Sequence, residues 1–270
     1  MTADGTATTA DGTATRKPAT PRAVARERTM ARIVELGNAQ LAECGAGELS
    51  VREIARGLGM VSSAVYRYVC SRDELLTLLI VDAYADLADA VDGALAEVDT
   101  GSEKGIGAGP RARFHALATA MVRWALAHPE RWTLLYGTPV SGYDAPAEST
   151  NTDGTRVMAR MLMIAADADA DAGADAGAAD VGASGAGTPA DKHRTLYVDP
   201  EVRALLGVHF AEFGVQADAE VGVRAVTAWS SLVGVISAHV FRQLGADAAA
   251  VGEQLLASQV ELLADLITGR

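Results

Sequence analysis

An all-α fold is what this sequence of 270 residues predicts, and three observations predict it. Aromatic residues make up 5% of a chain that is 49% apolar, so a core must be built mainly from Ala, Leu and Val, which pack helices closely and keep helix propensity high. From Ala23 to Gly109 there is no proline, and the apolar residues recur at helical spacing. Hydroxyl and carboxylate residues stand at capping positions between these runs. The length suits one larger or two smaller domains, and the composition excludes disorder throughout.

The elements follow in chain order. A tandem heptad, TADGTAT from Thr2 to Thr8 and again from Thr9 to Thr15, buries too little area to offset its ordering entropy, so residues 1–25 are expected to form a disordered tail. Ile33, Leu36, Gly37, Gln40 and Leu41 open the helical series, giving a first helix from Arg26 to Glu43 that Gly45 and Gly47 stop. Ser50-Val-Arg-Glu53 has capping-box spacing and starts a short helix with Ile54, Ala55 and Leu58 as its apolar stripe. Gly57-Leu58-Gly59 ends it after about two turns. Ser62 is placed to cap a third helix with Val61, Val65 and Val69 as its buried face, leaving Ser63, Tyr66 and Arg67 on another. A second capping box, Ser71-Arg-Asp-Glu74, begins a fourth helix running to about Val98.

Beyond a Gly-rich break at Gly101 to Pro110, helices are expected at Arg111 to Ala127, Pro129 to Tyr136 and Thr152 to Ala166. Asp167 to Ala190 is Ala, Asp and Gly with almost nothing large, which reads as a mobile linker. Asp199 then caps a helix from Pro200 to Phe213, Asp218 one to about Leu244, and Asp247 the last, to about Thr268. The final two helices carry more apolar residues than one stripe needs. Their surplus serves either the intrachain core or a four-helix bundle with a symmetry mate.

Charge is unevenly placed. Residues 16–75 carry ten bases and seven acids, whereas residues 76–270 carry thirteen bases and twenty-six acids. A basic N-terminal third on an acidic remainder is the asymmetry of one module that meets a polyanion and another that does not. In the basic third, two short helices meet across a Gly-containing turn, which is what a helix-turn-helix looks like. Ser50 at a helix start, Arg52, and Arg72 at the start of the fourth helix are candidates for phosphates on the two sides of a major groove. Ser62, Ser63 and Ala64 are placed to meet base edges or a thymine methyl, and Tyr66 and Arg67 to reach backbone or base. Tyr68 has two readings, a backbone contact or packing. The preceding RKPATPR stretch, with Arg16, Lys17 and Arg22, is a solvated tail or a basic arm on backbone or minor groove.

These residues resemble the N-terminal domain of TetR-type transcriptional regulators. The matching stretch is Arg26 to Leu79, and LSVREIARGLGMVSSAVYRYVCSRDELL from Leu49 to Leu76 follows the family pattern almost position by position. Three positions depart from it: Val69 replaces the usual aromatic, and Cys70 and Arg72 stand for the usual Pro and Lys. HPERW from His128 to Trp132, followed by LLYGTPVSGYDAP from Leu134 to Pro146, is similar to a C-terminal subclass of that family, the WHG type. The resemblance implies a three-helix helix-turn-helix DNA-binding domain at residues 26–72 and a larger helical domain at 73–270 for ligand binding and dimerisation. It implies a homodimer joined through the last two helices, a palindromic double-stranded DNA operator, and repression relieved by a small-molecule effector.

Trp124, Trp132, Tyr136, Phe210, Trp229 and His239 are candidates either for core filling or for the wall of a cavity that binds a small apolar molecule. The five histidines show no HExxH or other metal-ligand spacing, and neither GxSxG nor a phosphate-binding loop occurs. No catalytic residue, metal or cofactor is expected, and the chain is not read as an enzyme. A helical protein-protein adaptor that never touches DNA is the other reading. No stretch approaches the ~18 to 20 uncharged apolar residues of a membrane span. Cys44 and Cys70 lie in no CxxC spacing and no apolar leader opens the chain, so a reducing cytoplasm is expected and no membrane partner.

Overall fold

The computed structural model describes residues 20–101, 107–180, 196–245, 247 and 251–269. Among these, every regular element is helical. The helices are α1 (Pro21–Cys44), α2 (Val51–Gly57), α3 (Ser62–Val65), α4 (Arg72–Thr100), α5 (Pro110–Ala127), α6 (Pro129–Tyr136), α7 (Ala147–Gly154), α8 (Arg156–Asp180), α9 (Pro200–Phe213), α10 (Ala219–Val240) and α11 (Gly252–Thr268).

Two apolar cores share one helix. Ile33 and Leu41 of α1, Ile54 and Ala55 of α2, and Val65 and Val69 in and after α3 close on Leu75, Leu76 and Leu79 of α4. Further along α4, Ala83, Leu87, Ala88, Val91 and Leu95 enter the larger core with Phe114, Met121, Trp132, Met161, Ile164, Leu232 and Ile236. With 29 residues, α4 is about 43 Å long at 1.5 Å per residue, which lets it run from the first core into the second. The cores also touch beside α6, where Leu134, Val140 and Tyr143 pack on the N-terminal one. Gly137, ending α6, fits there because a Cβ would lie 2.4 Å from the Thr133 carbonyl oxygen.

Local signals place most helix starts. Proline occupies the first turn of α5, α6 and α9, and Asp218 accepts from the Ala219 N–H at 2.9 Å. The first helix begins earlier than its apolar series implies, because Thr20 accepts from the Ala23 N–H and Pro21 fits the first turn. Residues 20–25 are therefore helix and cap, while the rest of the expected tail lies outside the described residues. The helix expected from Thr152 is two, α7 and α8, divided at Thr155. Expected to reach Leu244, α10 instead ends at Val240. There Gln243 N–H reaches the Ala238 carbonyl, Arg242 N–H the His239 carbonyl, and Arg242 takes φ 55°. That is a Schellman closure with a non-glycine residue in the left-handed position. The last helix starts at Gly252 behind Val251, which gives no side-chain cap, rather than behind Asp247.

The Ala/Asp/Gly tract departs most from its expected form. Instead of a linker from Asp167, α8 continues to Asp180, as the helix propensity of alanine allows. Arginines on other helices hold it: Arg113 reaches Asp167 at 2.7 Å and Arg224 reaches Asp169 at 2.8 Å, with Ala168 buried between them. Residues 181–190 of the expected linker lie outside the described residues. By length and composition alone α10 could cross a membrane, contrary to the reading that no stretch approaches a span. In the fold its Val221, Ala225, Ala228, Leu232 and Ile236 face the larger core.

Candidate nucleic-acid interface

The turn between α2 and α3 is built by backbone rules. Met60 N–H donates to the Ala55 carbonyl and Gly59 N–H to the Arg56 carbonyl, each at 3.0 Å, with Gly59 at φ +64°. This is a Schellman closure with the residue type best suited to it, and it turns the chain so that α3 packs beside α2. Val65 and Val69 then anchor the recognition segment in the core, and Tyr66 N–H to Ser62 carbonyl and Tyr68 N–H to Val65 carbonyl extend it beyond α3. Val61 was expected on the buried face but is 71% exposed. It is itself the N-cap of α3, in extended conformation, so its side chain leaves before the helical register begins. Ser62 is consequently the first helical residue and not the cap.

The expected contact residues occupy one surface with differing freedom. Arg52, Ser63, Tyr66 and Arg67 are exposed, and Ser50, Ser62, Ala64 and Tyr68 are half-buried. The Ser50 Oγ accepts from the Glu53 N–H at 3.4 Å, which leaves its hydroxyl proton to donate. Its capping box is only half formed: the Ser50 N–H goes to Gln40 Oε1 at 3.0 Å, while Glu53 pairs with Arg56. At α4, Ser71 accepts from the Glu74 N–H at 3.0 Å. Glu74 reaches back one residue further than expected, to the Cys70 N–H at 2.6 Å and the Cys70 thiol at 2.8 Å. Those hydrogen bonds hold the Glu74 carboxyl below its usual range and push the Cys70 thiol up.

Arg72, expected to meet a phosphate, also makes contacts within the fold. Its Nη2 donates to the Ala46 carbonyl at 2.7 Å and the Gly47 carbonyl at 3.1 Å, tying the start of α4 to the turn after α1. Tyr68 packs on the N-terminal core and carries the Arg26 guanidinium 5.2 Å above its ring. Arg22, Arg26 and Arg67 thereby share one cleft.

Of the six aromatic and histidine candidates of the larger domain, Trp132, Tyr136 and Trp229 meet one another. Trp132 is fully buried, with its indole N–H donating to Ser237 Oγ at 3.1 Å. Tyr136 packs on it in a tilted arrangement at 4.5 Å and meets Trp229 at 6.1 Å and Tyr84 at 6.3 Å. Burial raises the Tyr136 phenol far above its usual value. Phe210 is core, and the buried His239 Nε2 has no partner among the described residues. Trp124 borders an open cleft of about 1020 Å³ between α4 and α5.

Trp124 also belongs to a polar network that sequence reading missed. Arg131, in the HPERW stretch, donates to Asp86 at 2.5 Å and to Asp82 at 2.9 Å and lies over the Trp124 ring. The Trp124 N–H shares the same Asp86 oxygen at 2.9 Å, and Asn38 of α1 the same Asp82 oxygen at 3.0 Å. The one available signal was the four-residue spacing of Asp82 and Asp86, which puts two acids on one face of α4. Among the described residues no cluster of His, Cys, Asp and Glu is arranged to hold a metal.

A family model described as a tetracyclin repressor-like C-terminal domain matches residues 114–263. The chain is 44% identical over 226 residues to the HTH-type transcriptional regulators Rv1816 of Mycobacterium tuberculosis and Mb1846 of Mycobacterium bovis, covering 83% of this chain and 85% of each relative. The solved structure of SCO4313, a regulatory protein, superposes with a TM-score of 0.63 at 30% identity, over 90% of this chain and 98% of that one. The fatty acid degradation regulator FadR of Bacillus halodurans shares the fold, with a TM-score of 0.51 at 12% identity over 87% and 97%. With the helix-turn-helix at its N-terminus and that C-terminal domain behind it, the chain belongs to the TetR family of DNA-binding transcriptional regulators.

Proposed function

We propose that this protein is a ligand-responsive repressor, a homodimer that places two recognition segments in successive major grooves of a palindromic operator and is released by a small apolar effector. The observation that carries this reading is the division of the segment after Gly59. Val65 and Val69 are buried, while Ser63, Tyr66 and Arg67 are exposed beside them, so the segment is held by one side and free on the other. Ser62, Ser63, Ala64 and Tyr66 meet base edges or thymine methyls, and Ser50, Arg52 and Arg67 meet phosphates. Arg72 sets register indirectly, by fixing α4 to the turn after α1.

The dimer forms through α10 and α11, whose exposed Val226 and Leu262 support an apolar seam. The effector enters beside Trp124 in the α4–α5 cleft. Because α4 serves both cores, a ligand that favours one placement of α4 favours one spacing of the recognition segments. Such a protein works in the cytoplasm, where chromosomal DNA lies.

The test is a gel-shift titration on genomic fragments with wild type, Tyr66→Ala and Arg67→Ala. Wild type is expected to select fragments with half-sites about 34 to 36 Å apart, and both variants to bind at least tenfold more weakly. Binding by none of the three would leave a helical adaptor as the better reading, and equal binding by all three would take the contact away from Tyr66 and Arg67.

A further inference from the structure

We infer that the cleft between the first turn of α1 and the end of the recognition segment is a second grip on duplex DNA, in which Arg22, Arg26 and Arg67 take backbone phosphates outside the stretch read by Ser63 and Tyr66. This rests on the DNA-binding reading and adds residues and a place to it.

The cleft has a volume of about 560 Å³ and is lined by Thr20, Arg22, Ala23, Arg26, Arg67 and Tyr68, together with Ala25. Three guanidinium groups line it and, among the described residues, no carboxylate does. Elsewhere in this protein of net charge −12, guanidinium groups commonly hold acids, as at Arg111, Arg131 and Arg156. Among the described residues Arg22, Arg26 and Arg67 form no ion pair of that kind. Three like charges brought together without counter-charge repel one another, and a polyanion relieves that repulsion most effectively.

Geometry adds selectivity. The Tyr68 ring lies 5.2 Å below Arg26, and Tyr68 is itself packed on the core, so the ring helps to hold that guanidinium at the cleft. A guanidinium held over a ring by cation–π attraction still has N–H groups to offer a phosphate. Arg22 and Arg26, four residues apart on α1, project from one helical face. Arg67 closes the cleft from the recognition segment, one residue from Tyr66. Anything seated there therefore lies beside whatever Tyr66 touches, which identifies the phosphates as those of the same duplex.

The experiment uses the full chain and a duplex that it selects from a random-sequence pool, titrated between 50 and 200 mM salt. Arg22→Ala and Arg26→Ala are each expected to flatten the plot of log affinity against log salt by about 0.9, the value of one phosphate contact. In wild type, ethylation of the matching phosphates should interfere with binding, and in the variants it should not. Arg26→Lys should keep the slope and Arg26→Gln lose it, which separates charge from any effect on folding. Unchanged slope and unchanged interference in the Arg22→Ala/Arg26→Ala double variant would overturn the cleft while leaving the recognition segment in place. Failure of wild type to select any duplex would overturn the DNA-binding reading itself.

Discussion

Arg131→Met removes the centre of the network that joins α1, α4, α5 and α6. The Arg131 side chain is 10% exposed, so its charge is nearly desolvated, whereas Asp82 and Asp86 are 38% and 49% exposed. Removing one partner of a fully buried pair costs about 3 to 5 kcal/mol. Here the stranded carboxylates rehydrate in part, and each keeps one donor, Asn38 or the Trp124 indole. The methionine also fills the volume of the arginine stem over Trp124. The expected loss is about 2 to 3 kcal/mol, equivalent to two hydrogen bonds to charged groups reduced by that rehydration. For a chain of this size it lowers the melting temperature by roughly 4 to 12 °C. Urea unfolding of wild type, Arg131→Met, Asn38→Ala and the double variant completes the measurement. Because Arg131 and Asn38 donate to the same Asp82 oxygen, the two losses should depart from additivity by more than about 0.5 kcal/mol. A single-variant loss below that figure, or strict additivity, would refute a shared oxygen linking the two domains.

Gly59→Ala meets open space but holds φ +64°. It should cost about 1 to 2 kcal/mol and weaken DNA binding more than a neutral surface change does, read by thermal melting and gel shift. Arg242→Gly, at φ 55°, should raise stability by up to about 1 kcal/mol in urea unfolding. Acid should destabilise the fold. The Glu74 carboxyl is held low by Cys70. At Asp92, burial pushes the carboxyl up, but Arg160 and Arg156 outweigh it and hold it low. Their contribution is complete above the ordinary carboxylate range and is lost as pH falls through that range and below; Asp92→Asn should flatten the acid limb of a stability-pH curve. Alkali acts through Tyr136 and Tyr84, whose phenols burial raises. Stability is complete below about pH 10, the ordinary tyrosine value, and falls above it, and Tyr136→Phe should reduce that fall.

What could be read from the sequence was local. Ser50 and Ser71 cap the helices they were expected to cap, Pro129 and Pro200 occupy first turns, and Val65 and Val69 are buried. Each of these depends on residues within about one helical turn, where spacing along the chain is also distance in space. The errors arose where a partner lay far along the chain. Asp167 and Asp169 read as linker until Arg113 and Arg224 reached them. The hold of Arg72 on two carbonyls about 26 positions earlier was equally out of reach of local spacing. The Asn38–Asp82–Arg131 link joins residues 44 and 49 positions apart, and no periodicity encodes that. The sequence by itself determined where helices start, which side of each is apolar and that a helix-turn-helix opens the fold. Only the tertiary structure decided which guanidinium groups meet carboxylates or carbonyls and which line a cleft, because a charge is satisfied by whichever helix packs beside it.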